Sequence, residues 1–372
     1  MEDLVSGSAI RLSFSGRKVF LTGHTGFKGA WLALWLTQLG ADVYGYSLAP
    51  ETEPNAFSSL GLEQLLHHQL SDIRDLEALR ESLRTVKPDF VFHLAAQPLV
   101  RRSYGAPIET IETNILGTAN LLEAIRLERL PCTTVVVTSD KCYENRDSLW
   151  GYREDEQLGG HDVYSMSKAA VELVVSSYRR SFFSPDKITQ HGVSVATARA
   201  GNVVGGGDWA FDRIVPDVIR AIAAGRVAEI RNPSAIRPWQ HVIEPLHGYL
   251  LLAQRLQESA SVSDASFGEA WNFGPRSEDC RPVQAVVETL CKEWGSGSWV
   301  LSSPTENLHE AGVLRLNTDK ATVRLGWRPR WRFEKALALS VEWYRAHLAA
   351  ATAAELRALC LRQCAEYLAD EL

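Results

Sequence analysis

The sequence is short of several things, and each shortage excludes a class of protein. It has six cysteines, Cys132, Cys142, Cys280, Cys291, Cys360 and Cys364, and none of them forms a CxxC pair. Its ten histidines show no zinc-like spacing with those cysteines. No structural metal is therefore expected, and the thiols read as reduced, as in a cytoplasm. Cys142 reads as a packed strand-end residue. No apolar run approaches the ~20 residues a membrane span needs. The N-terminal MEDLVSGSAIRLSFSG lacks the charged-then-apolar order of a secretory leader. Positive charge is not in excess either. At a net charge of −6, neither nucleic acid nor an anionic membrane is expected as a partner.

What is present is alternation. KVFLTG (18–23) reads as a strand, and GAWLALWLTQLG (29–40) as a helix with a broad apolar stripe closed by Gly40. Strands follow in DVYGYSL, in DFVFHLAA (89–96), in TTVVVTS (133–139) and in GVSVATARAG (192–201). Helical patterns lie between them at 113–130 and 164–182. Strand and helix alternating through short connections demand parallel pairing with right-handed crossovers. The fold class is therefore α/β, a Rossmann-like doubly wound parallel sheet with a smaller mixed C-terminal substrate lobe. Residues 1–200 are expected to form the dinucleotide-binding domain, with a return segment near 240–276 that includes the strand WNFGP. Residues 201–345 form the lobe, where Gly205–Gly207 and several prolines break the rhythm. Residues 346–372 form a helical tail, whose Leu356, Leu359, Cys360 and Leu368 dock on the body or on another subunit.

TGHTGFKG follows the first strand directly and opens the first helix. Gly23, Gly26 and Gly29 keep a three-residue step, which permits a tight turn and a close approach of a pyrophosphate to the backbone. The helix N-terminus adds free N–H groups and partial positive charge. Thr25, Phe27 and Lys28 complete the candidate cradle. The acidic residue that often ends the second strand and holds the NAD ribose is missing, and Ser47 stands in its region. No arginine there suits a 2′-phosphate, so the expected cofactor is NAD, with weakened ribose binding. Asp72, followed by Ile73, is placed either to receive the adenine amino group or to cap a helix.

Three proton-handling groups, Ser139, Asp140 and Lys141, end the buried strand VVV. Asp140 and Lys141 read either as acid and base or as a neighbouring ion pair. Tyr164 and Lys168 form a Y-x-x-x-K pair, which a helix sets on one face. A lysine ammonium beside the phenol favours the phenolate, so tyrosine can act as a base.

TGHTGFKG, HLAAQPLV, TNILGT, the Ser-Tyr-Lys set and RAGNVVGGGDW together resemble the extended short-chain dehydrogenase/reductase family, over nearly the whole chain. The resemblance implies that Ser139, Tyr164 and Lys168 surround the nicotinamide and the hydroxyl being oxidised. It also implies that Leu94, Ala95 and Ala96 line the cofactor, with Gln97 near substrate or nicotinamide. An acid and a base after the serine are similar to the nucleotide-sugar 4,6-dehydratases within that family. A lysine in the second place, with SDKCYEN, GGHDVYSMSK and RPWQHVIEPLHGYL, resembles the group that acts on CDP-glucose. The implied cycle has three stages: oxidation at carbon 4 with Tyr164 as base, loss of water across carbons 5 and 6, and return of hydride to carbon 6. Lys141 would remove the carbon 5 proton, and protonated Asp140 would protonate the departing hydroxyl. Burial is expected to push both toward neutrality.

A nucleotide sugar also needs a diphosphate clamp. Arg213 and Arg237 are the candidates, because an arginine fork matches phosphate geometry. Asn202 is placed to bond sugar or phosphate, and Trp209 or Trp239 either walls the base pocket or belongs to the core. A homodimer or homotetramer is expected. Three alternatives stay open: a nucleotide-sugar 4-epimerase, a dehydratase acting on another nucleotide hexose, and a catalytically silent NAD-binding regulator.

Overall fold

The computed structural model describes residues 10–261, 266–302 and 312–370. Its centre is a seven-stranded sheet. The strands are β1 (Lys18–Thr22), β2 (Asp42–Ser47), β3 (His67–Leu70), β4 (Phe90–His93), β5 (Thr133–Val137), β6 (Ser194–Ala200) and β7 (Ala270–Phe273). Their spatial order is β7-β6-β5-β4-β1-β2-β3, and every pairing is parallel. β5 and β6 are buried along their whole length, as strands covered on both faces must be. That burial explains their near-continuous apolar and β-branched sequences. WNFGP does return to this sheet: Trp271 pairs with Ala198 of β6.

The order reverses at β1. The chain runs from β1 to β2 and β3 on one side, then comes back to place β4 on the other. The carboxyl ends of β1 and β4 therefore splay their following loops apart and leave a crevice at the switch point. Thr22 and His93 mark that end, paired across the register.

Eight further segments of eight or more residues are named here with the first helix: α1 (Phe27–Gln38), α2 (Leu76–Val86), α3 (Gly117–Leu127), α4 (Val163–Ser181), α5 (Ile214–Ala223), α6 (Ile243–Ser261), α7 (Val283–Trp294), α8 (Phe333–Leu348) and α9 (Ala353–Ala369). α1 is buried on all sides from Gly29 to Leu36, which a helix lying only on a sheet would not be. The tail accounts for this. α9 packs against α1 and α8, and Leu356, Cys360, Cys364 and Tyr367 join Trp31 and Trp35 in one core. It opens with a capping box between Thr352 and Glu355. The tail thus docks on its own body, with Leu359 and Leu368 partly buried.

Beyond β6 the chain builds short ladders. Val203–Val204 pairs with Gln240–His241, Ile236–Pro238 with Cys280–Pro282, and Ala228–Ile230 with Trp299–Leu301. Together with α5 and α7 these wall one side of the crevice. All six cysteines are unpaired, and Cys142 is fully buried behind the β5 end. No helix among the described residues is long and apolar enough to cross a membrane.

Candidate active site

A cleft of about 1190 Å³ lies along the carboxyl ends of the strands. One end is the glycine turn. Gly23 sits at φ +76°, and a Cβ there would lie 2.6 Å from the Ala95 nitrogen. A Cβ on Gly29 would collide with the Gly23 carbonyl oxygen. These two glycines let turn, helix and β4 loop close on one another. Gly26 differs: its Cβ would meet only the Gly23 oxygen, at 3.4 Å, and it is exposed toward the cleft. α1 begins at Gly26 with no side-chain cap. An uncapped helix start behind an open glycine fits a pyrophosphate, and on that ground the residues fit NAD.

Thr25, Phe27, Lys28, Ile73, Leu94, Ala95 and Ala96 all line the same cleft. So does Ser47, whose hydroxyl lies 2.8 Å from that of Thr25. Asp72 is on the wall, but its carboxylate is held in a fork by Arg74, at 2.6–3.1 Å. The cap of α2 is Asp75, so the helix-cap reading of Asp72 is corrected. Lys28 is embedded more deeply than its place in the turn suggested. Its ammonium donates to the Tyr249 hydroxyl at 2.9 Å. Burial, then the charges of Lys168 and Arg213, pull its pKa down to about 7.

The middle of the cleft holds Ser139, Asp140, Lys141, Tyr164 and Lys168. Ser139 caps a single turn, Asp140–Cys142, and its hydroxyl accepts from the Lys141 N–H and donates to Asp140 Oδ1 at 3.0 Å. Asp140 is 2% exposed, and Oδ2 has no hydrogen-bond partner. Burial raises its pKa, although Lys141, Ser139 and Arg237 pull the other way. The direction is the one that the expected role as an acid requires. Lys141 is only half-buried.

α4 carries Tyr164 and Lys168, capped by Asp162. Both side chains are buried, and Lys168 Nζ donates to the Val137 carbonyl at 3.5 Å. Burial pushes Tyr164 up to about 12, partly offset by the Ser139 hydroxyl. It pulls Lys168 down to about 8. Desolvation of the tyrosine thus opposes the phenolate that Lys168 is expected to favour.

At the far end stand Asn202, Arg213, Arg237, Trp209 and Trp239. Asp208 holds Arg213 at 2.9 Å, and Arg237 donates to the carbonyls of Ile236 and Gly312. Both tryptophans belong to the core while showing an edge to the cleft. Gln97 does not reach the cleft. Its amide donates to Leu99 O and Thr110, and its oxygen accepts from the Leu99 N–H, so the side chain ties down the loop after β4. Following β4 in sequence put it near the nicotinamide; its hydrogen bonds turn it inward.

A glycine turn at the switch point, facing a Tyr-x-x-x-Lys helix and a serine strand end, defines a short-chain dehydrogenase/reductase of the extended kind. The chain belongs to the GDP-mannose 4,6 dehydratase family, whose pattern matches residues 20–339. It is 50% identical over 334 residues to the CDP-glucose 4,6-dehydratase of Salmonella typhimurium, covering 90% of this chain and 92% of that one. Among solved structures it is similar to the epimerase Mth375 of Methanothermobacter thermautotrophicus. The TM-score is 0.77 at 22% identity, over 92% and 96% of the two chains. It is also similar to MoeE5 in complex with UDP-glucose and NAD, with a TM-score of 0.71 at 25% identity over 89% and 99%.

Proposed function

We propose that this protein is an NAD-dependent lyase that converts CDP-glucose to CDP-4-keto-6-deoxyglucose. The observation that carries the reading is the union, in one cleft, of a redox set and an elimination set. Ser139, Tyr164 and Lys168 form the first; Asp140 and Lys141 form the second. A relative sharing half of the residues bears the name CDP-glucose 4,6-dehydratase, and a structural neighbour carries NAD.

Bound NAD would supply the hydride acceptor for carbon 4 and, once reduced, the hydride donor for carbon 6. The residues do the rest. Gly26 and the start of α1 seat the pyrophosphate. Tyr164 takes the carbon 4 hydroxyl proton, Ser139 bonds that oxygen, and Lys168 steadies the phenolate. Lys141 then removes the carbon 5 proton, made acidic by the new ketone. Asp140 gives its proton to the departing carbon 6 hydroxyl, a role its burial suits. Arg213 and Arg237 hold the diphosphate, with Asn202 beside them. Residues 1–200 with the β7 return serve the cofactor, and 201–345 the nucleotide sugar.

Incubation with CDP-, dTDP-, GDP- and UDP-hexoses tests the reading. CDP-glucose should give a 4-keto product carrying one solvent deuterium at carbon 5. A 4-epimerase would give an epimer without that deuterium, and a silent regulator would give nothing. We further propose a cytoplasmic homodimer or homotetramer, in keeping with six unpaired thiols and the absence, among the described residues, of a helix able to span a membrane. A monomer mass by light scattering, or recovery in a membrane or secreted fraction, would reject that.

A further inference from the structure

The loop that carries Asp140 and Lys141 is tied by backbone bonds to the 157–159 segment, Gly159 N–H to the Cys142 carbonyl and Glu144 N–H to the Gln157 carbonyl, and a buried side-chain network clamps it at both ends. At its start, Thr138 donates to Glu172 Oε1 at 2.5 Å. Glu172 lies one turn beyond Lys168 on α4, and its Oε2 accepts from Thr197 at 2.6 Å and from Arg199 at 2.9 Å. At the loop's end, Arg199 Nη1 donates to the Tyr143 hydroxyl at 2.7 Å, which in turn donates to Asn272 Oδ1 at 2.8 Å. Asn272 is fixed on β7, where its amide donates to the carbonyls of Tyr152 and Asn317. Arg199 and Glu172 are 3% and 5% exposed, so the pair keeps its strength in a low dielectric.

The two anchors share Arg199, which bonds Glu172 through Nη2 and Tyr143 through Nη1, but they reach different parts of the site. Thr138 and Glu172 fix the Ser139 end and α4, which bears Tyr164 and Lys168. Tyr143 fixes the other end, through its own N–H to the Asp140 carbonyl and its hydroxyl to Arg199 and Asn272. From this asymmetry we infer that Tyr143, seated by Arg199 and Asn272, is a positioning residue for the elimination step: it sets Asp140 and Lys141 against carbons 5 and 6, while oxidation at carbon 4 is positioned chiefly through Thr138 and Glu172. This rests on the dehydratase reading for its chemistry, though not for its mechanics.

Tyr143→Phe is the test. The ring keeps its stack on Tyr152, with centroids 5.1 Å apart, so the fold is retained. Steady-state dehydration of CDP-glucose should fall roughly 10–100-fold, the cost of a misplaced catalytic group. The first-turnover oxidation should change less than about threefold, and reduced nicotinamide should accumulate on the enzyme, seen by its near-ultraviolet absorbance. Thr138→Val, which loosens the other end, should slow both steps alike. Amide hydrogen exchange gives a readout that needs no substrate: residues 139–145 should exchange faster in Tyr143→Phe at unchanged protection of β5 and α4. Equal loss of both steps in Tyr143→Phe, or no loss in either, overturns the inference, as does unchanged exchange in the loop. Failure of the wild type to turn over CDP-glucose would reject the dehydratase reading by itself, and the exchange measurement would still decide the clamp.

Discussion

Two alanine substitutions three residues apart, Gly26→Ala and Gly29→Ala, should fail in opposite ways. Gly26 has φ −76° and ψ 166°, which alanine adopts without strain. Its added methyl would touch only the Gly23 oxygen, at 3.4 Å. Alanine is a poorer helix N-cap than glycine by about 0.5–1 kcal/mol. It also restricts the unfolded chain, which returns about 0.4–1 kcal/mol. The two nearly cancel, so melting of the NAD-free protein should move by less than ~2 °C. The methyl projects where the pyrophosphate must approach the backbone. Losing one charge-assisted hydrogen bond costs about 1.5–3 kcal/mol, so the NAD dissociation constant should rise roughly 10–100-fold. Gly29→Ala drives a methyl into the Gly23 carbonyl, where only backbone can yield. Overpacking of this kind costs about 1–3 kcal/mol or more, and melting should drop by several degrees. Thermal melting and NAD titration on stripped enzyme measure both. Wild-type NAD affinity in a folded Gly26→Ala would refute the placement of the pyrophosphate. Wild-type melting of Gly29→Ala would refute the packing argument.

Lys141→Ala should abolish water loss and still permit the first oxidation, visible as reduced nicotinamide on the enzyme; undiminished dehydration would remove Lys141 from its role. Tyr164→Phe should stop both steps, and appreciable formation of reduced cofactor would contradict its place as base. Glu244, fully buried, accepts from the Arg330 and Trp331 N–H groups and from the Tyr367 hydroxyl, and burial raises its pKa to about 7. A raised carboxyl favours the protonated fold, so stability should fall as pH climbs from about 4.5 to 7, by roughly 3 kcal/mol at most. Glu244→Gln should flatten that fall; an unchanged melting profile would count against it. Finally, CDP binding near pH 8 should take up protons from weakly buffered solution, because an entering diphosphate raises the pKa of Lys28 and Lys168; binding without uptake would contradict that coupling.

The strands could be read from sequence because a parallel sheet buried on both faces leaves no polar alternation to confuse it, as in TTVVV. The glycine turn and Tyr164–Lys168 could be read because their partners lie within one turn or one crossover. What escaped depends on distant partners. Lys28 donates to the Tyr249 hydroxyl, 221 residues away, and nothing in TGHTGFKG announces that. Tyr143 meets Asn272 across 129 residues. Gln97 failed for the opposite reason: its partners, Leu99 and Thr110, are near, but loop hydrogen bonds carry no periodic signal. α1 read as amphipathic, and its all-round burial makes sense only once α9 lies against it.

Burial decides the resting protonation of the groups in the cleft. Lys28, Lys141, Lys168, Arg213 and Arg237 line it, and so do many carboxyls, among them Glu51, Asp72, Asp140, Glu144, Asp162 and Asp208. Asp208 is taken up by Arg213, and burial favours the neutral form of Asp140. Burial, rather than an excess of positive charge, sets the lysines: it pulls Lys28 down to about 7, helped by the charges of Lys168 and Arg213, and Lys168 down to about 8. Lys168 must be charged to steady a Tyr164 phenolate whose pKa burial has pushed up to about 12. If Tyr164 is the base proposed above, deprotonating it in this buried site requires compensating positive charge beside it, from a protonated Lys168 and from the bound cofactor. The first-turnover oxidation should then rise with pH only while Lys168 keeps its proton, and a rate that climbs steadily through the range in which Lys168 is neutral would refute that dependence.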